Sequence, residues 1–176
     1  CALFVALVAG PVIAAQRLDF NRPEFEGDGV TVGPSGSPLL LDGYSFTAVG
    51  RPDQDVFAID NGTEKVGNGT PRLFALNDSL VLLASAAGNP IDLLSVDFGG
   101  YELDPLKRTF WADKIEILGY RGDAIVGTTI LDLDPSVPEA NLMTFSFGSQ
   151  FRSLSRVSFH GLGDIGPNGE FRNNHA

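Results

Sequence analysis

The chain carries a single cysteine, Cys1, so no intramolecular disulfide can form within its 176 residues. Stability must come from a buried core, and the chain is long enough to build one. Histidine is almost as scarce, with only His160 and His175. No nucleophile–histidine arrangement stands out, and no G-x-S-x-G elbow, H-E-x-x-H pair or phosphate loop occurs. Basic residues are outnumbered, 12 Lys and Arg against 22 Asp and Glu, for a net charge of -10. Such a chain repels nucleic acid and anionic lipid surfaces, which are bound through basic contacts. Also missing is any stretch of ten or more residues with helical spacing of apolar positions, so helices should be minor.

What the chain does have begins at its first residues. Cys1 to Ala15 is uncharged and apolar, and closes on small residues just before Gln16-Arg17. That pattern reads as the apolar core and exit of a secretory signal peptide; a membrane span needs about 20 apolar residues. The expectation is a signal-peptide remnant over 1–15, then a single β-sandwich domain over 16–176 that is incomplete at its C-terminus. Cys1 precedes the apolar run, whereas a lipidated cysteine would follow it. The location implied is secreted or cell surface, and export without disulfides suits a bacterial protein.

From Leu18 onward the apolar residues fall in short runs: Leu18–Phe20, Tyr44–Ala48, Val56–Ile59, Arg72–Leu76, Ser79–Ser85 and Leu93–Phe98. Lys114–Tyr120, Ala124–Leu131, Leu142–Phe147 and Leu154–His160 follow, with one further short strand at Val30–Val32 in a Gly- and Pro-rich loop. Alternation is clearest in Lys114-Ile115-Glu116-Ile117 and in Arg156-Val157-Ser158-Phe159-His160, which places one set in the core and the other in water. Turn formers separate the runs, among them Asn61-Gly62, Asn68-Gly69 and Arg121-Gly122-Asp123. Many short strands with turns predict an all-β, antiparallel sandwich, with a hairpin between Tyr120 and Ala124.

Three pieces together resemble exported bacterial domains of the kind that carry a PEP-CTERM sorting signal. They are Leu18-Asp19-Phe20-Asn21; Ser79–Leu83 followed by Pro90–Asp97; and Ile115–Tyr120 through Thr128–Asp132 to Leu154–Phe159. The last piece is similar to the closing strands of jelly-roll, galactose-binding-like sandwiches. Asn21 stands where that family usually has an acid, and its final strand and sorting tail are not seen here. The resemblance implies a jelly-roll fold and, often, a structural calcium held between the first strand and the chain's end.

Candidate chemistry follows from the loops. Asp19, Asn21, Glu24, Glu26 and Asp28, and later Asp164, Asn168 and Glu170, gather the oxygen ligands that Ca²⁺ prefers. Asp19, Asn21 and Asp164 are the candidate metal ligands, against the plainer reading of solvated loop acids. Tyr101, Trp111 and Tyr120 are candidate stacking groups for a sugar ring, although Trp111 beside Phe110 equally suits a sandwich core. Arg121-Gly122-Asp123 spells an integrin-type tripeptide but is also the turn that a hairpin needs. His160 continues the solvent phase of its strand. The sequons at Asn61, Asn68 and Asn77 matter only in a eukaryotic source. The function expected is a non-catalytic binding or surface-structural module associated with extracellular polysaccharide, preferring neutral or cationic glycans. The alternative is a glycan-active hydrolase using paired carboxylates.

Overall fold

The computed structural model describes residues 4–8, 15–18, 20, 30–32, 38–49, 57–60, 72–75, 80–98, 114–132 and 143–162. Its strands in chain order are β1 (Phe4–Val8), β2 (Gln16–Leu18), β3 (Val30–Val32), β4 (Leu39–Leu41), β5 (Tyr44–Val49), β6 (Phe57–Asp60) and β7 (Arg72–Ala75). They continue with β8 (Leu80–Ser85), β9 (Asp92–Phe98), β10 (Lys114–Arg121), β11 (Ala124–Asp132), β12 (Met143–Ser146) and β13 (Arg156–Leu162). A short 3-10 turn covers Ser149–Phe151.

All pairings are antiparallel. The strands form a six-stranded sheet in the order β11-β10-β13-β8-β5-β4, a four-stranded sheet β12-β9-β1-β2 and a three-stranded sheet β3-β6-β7. The all-β sandwich expected from the alternation is what the chain forms. Phe46 and Ala48, Val81 and Leu83, Ile115 and Ile117, and Val157 and Phe159 are buried on one face of the six-stranded sheet. Leu18, Leu93, Val96 and Phe98 answer them from the four-stranded sheet. Phe98 bridges the two layers, its ring centroid 5.9 Å from Phe159 and 6.4 Å from Phe145. Phe20 meets Phe46 edge-on at 5.5 Å. Such tilted pairs are favoured by the ring quadrupole. Burial raises the Tyr44 phenol above its ordinary pKa, because the charged form loses its water.

Two turns show how local chemistry sets the register. Asp42 and Gly43 both have positive φ, 50° and 82°, the geometry of a type I′ turn joining β4 to β5. Gly122, at φ 59°, opens the two-residue Gly122-Asp123 turn between β10 and β11, so the hairpin lies where the sequence put it.

Within the run read as a signal remnant, Phe4–Val8 pairs with β9 on one side and β2 on the other. One place departs from the simple alternation. Along β9, both Leu93 and Val96 are buried although three residues apart. The ladder to β1 shifts register there, leaving Leu94 as the extra residue, so the period-2 phase flips across the bulge.

The segment Phe147–Ser155 closes one end of the sandwich. Phe147 N–H donates to Leu94 O at 2.9 Å, and Ile91 and Leu154 exchange both backbone bonds, at 2.7 and 2.8 Å. Phe151 and Leu154 are completely buried. They pack over Gly119, and Gln150 packs over Gly127; the two glycines face each other across β10 and β11. A Cβ on Gly119 would lie 3.0 Å from a Leu154 methyl, and one on Gly127 would lie 2.9 Å from the Gln150 carbonyl oxygen. A flexible side chain can yield to the first, but the backbone must move to admit the second. Gly127→Ala should therefore lower the Tm by about 2–10 °C through overpacking. The neighbouring exposed Thr128→Ala should leave it within about 2 °C. Differential scanning calorimetry of the two variants checks this, and equal midpoints would contradict it.

Candidate functional site

Of the candidate sugar-stacking and metal-ligating residues, Tyr120 alone lies among those the structure describes. Tyr101, Trp111, Asp19, Asn21 and Asp164 lie outside them. Among the described residues, no group of three or more His, Cys, Asp or Glu is placed to hold a metal ion.

Tyr120 is the penultimate residue of β10, on the outer face of the six-stranded sheet, opposite Ile125 of β11 and Arg156 of β13. Its ring is half-buried. The Arg156 guanidinium carbon lies 4.5 Å from the ring centroid, so one aromatic face carries a cation. A second nitrogen contact takes Arg156 to Asp123 Oδ1 in the turn, at 3.4 Å. Asp123 is fully exposed, so that ion pair organises the turn more than it stabilises the fold. Arg156 thereby spans from a ring on one strand to a carboxylate at the hairpin tip.

Other polar groups gather around the same end. Arg121 Nη2 donates to Arg152 O at 3.0 Å, and Arg152 Nη1 donates to Leu93 O at 3.2 Å. Ser153, with φ at 52°, turns its N–H onto Asp92 Oδ1 at 2.7 Å. Ser155 donates twice to Tyr120 O, from its backbone N–H at 2.7 Å and its hydroxyl at 3.1 Å. Three guanidinium groups, two carboxylates and two serines are thus held at one end, largely by bonds to backbone carbonyls. Arg121 and Asp123 are both tied back to the body of the domain. That geometry fits the turn reading of Arg121-Gly122-Asp123 rather than the display of a free tripeptide.

The sequence reading did not single out Arg156 or Ser155 as partners of Tyr120, or Arg152 and Ser153 as their neighbours. The pairing register brings Arg156, 36 residues away in sequence, directly opposite Tyr120, and the closing segment brings the others. A second difference lies at Ser158, which alternation placed in water but which is 3% exposed. Leu118 and Leu82 flank it in register on either side, and the small side chain sits below both.

No family model, curated protein or solved structure matches the chain.

If Arg156 is held by the Tyr120 ring, the two side chains must be energetically coupled. A double-mutant cycle of Tyr120→Ala and Arg156→Ala should give a coupling of about 0.5–1 kcal/mol in urea denaturation. Strictly additive effects would show that the stacking contributes nothing.

Proposed function

We propose that the chain is a non-catalytic binding or surface-structural module of an exported protein, associated with extracellular polysaccharide. The observation that supports this is the braced polar end of the sandwich. There Tyr120 carries Arg156, and Arg121, Arg152, Ser153 and Ser155 are fixed by bonds to backbone or carboxylate groups. Hydroxyl, guanidinium and aromatic groups are the types that bind sugar hydroxyls and ring faces. Holding them in place by bonds to the backbone reduces the ordering cost of binding. The uncovered part of the Tyr120 ring is small, so affinity for any one sugar unit is weak. A structural calcium held by Asp19, Asn21 and Asp164 belongs to the same proposal, as does the likeness to PEP-CTERM export domains.

A glycan array and a panel of glycosidase substrates, each run with calcium and with chelator, test the reading together. The expected result is weak glycan retention reduced by Tyr120→Ala, no turnover, and a higher Tm in calcium. Bound calcium at a hundredfold excess over Kd would contribute about 2.7 kcal/mol of stability. Turnover that vanished on changing a single carboxylate would overturn the proposal and install the hydrolase in its place.

A further inference from the structure

Among the described residues, each sheet ends in a short strand everywhere but one place. The edge strands β2, β3 and β4 have three residues each, and β7 and β12 have four. β11, the outer strand of the six-stranded sheet, has nine. Short edges are one way that β proteins avoid pairing with other chains, and charges, prolines and bulges are the others. β11 contains no proline and no lysine, and its one charge, Asp132, is paired with Lys114 at 3.3 Å. A register shift opposite Gly119/Tyr120 disturbs its first residues but leaves Gly127–Asp132 in regular pairing with β10. Two of its aliphatic side chains stand well out in solvent, Ile125 at 54% and Ile130 at 52% exposure. Among the described residues this is a long, regular, aliphatic edge, and the other edges are short.

We propose that β11 is a self-association edge, across which two copies of the chain pair antiparallel into a continuous twelve-stranded sheet. The six strands of one copy meet the six of the other. The occupant follows from symmetry and charge. A two-fold axis normal to the sheet keeps the core faces of both copies on the same side, so facing residues must share a face. An axis through Thr129 satisfies this. It sets Thr129 against its own copy, Thr128 against Ile130, and Gly127 against Leu131. Asp132 then lies beyond the regular pairs, next to the bulged Val126 that packs toward the core and not next to a second carboxylate, so like charges are not directly opposed even though each chain carries -10. An edge that complements itself in side-chain type, face and charge needs no foreign strand. The inference stands independently of glycan binding.

Analytical ultracentrifugation of the full chain over a concentration series reaching about 1 mM tests it. The expected result is a reversible monomer–dimer equilibrium. Ile130→Lys, which sets a lysine beside Glu116 within the chain and so should be tolerated in the monomer, should weaken dimerisation at least tenfold at an unchanged melting profile. As a second readout, Cys1→Ser/Thr129→Cys should oxidise to a covalent dimer, because strand partners lie within about 4.5–5.5 Å between Cα atoms, inside disulfide range. A monomer throughout, a dimer indifferent to Ile130→Lys, a Thr129→Cys chain that does not cross-link, or an edge filled only by a strand from another protein would each overturn the proposal.

Discussion

Everything at the polar end of this domain depends on one closure, the bridging of the two sheets by Phe147–Ser155. The segment leaves β12 in the four-stranded sheet, bonds to Leu94 on β9 and to Ile91 just before it, buries Phe147, Phe151 and Leu154, and enters β13 of the six-stranded sheet. Phe147 and Phe151 pack within it, their rings tilted and their centroids 4.8 Å apart. It can lie this close only because Gly119 and Gly127 present no side chains beneath it. The backbone cost of a glycine within a strand is thus set against close packing of the segment that joins the layers.

The polar cluster is a consequence of that closure. Arg152, Ser153 and Ser155 belong to the bridging segment itself, and their partners lie on β9, β10 and the turn after β10. Because the bonds run mostly to backbone atoms, the cluster is positioned by the fold more than by side-chain charge. The whole chain is acidic, yet three arginines converge on one end, so the field there differs from the one that net charge alone suggests. At ordinary ionic strength screening acts over about 8–10 Å, which lets this local composition govern contacts made there.

Strand positions were legible wherever side chains alternated cleanly. β10, β11, β5 and β8 fall within a residue or so of the expected runs, and the Gly122 turn was written in the sequence. β4 was overlooked, although Asp42-Gly43 between Leu39–Leu41 and Tyr44–Val49 is a strong hairpin signal. The partners of Tyr120 were beyond reach for a different reason. They are joined by register between strands distant in sequence, and register is decided by the whole core at once. The aromatic at position 120 was visible; the arginine on its face was not.

Native-state hydrogen exchange tests most directly whether the bridging segment holds the two sheets together. The amides of Ile91, Phe147, Leu154 and Ser155 all donate within this closure. If it is integral to the fold, they exchange only through global unfolding, with the same free energy as the central amides of β8, β10 and β13. Fast exchange of these four amides by local opening, while the six-stranded sheet stays protected, would show that the segment is an ornament on the sandwich and would contradict the account.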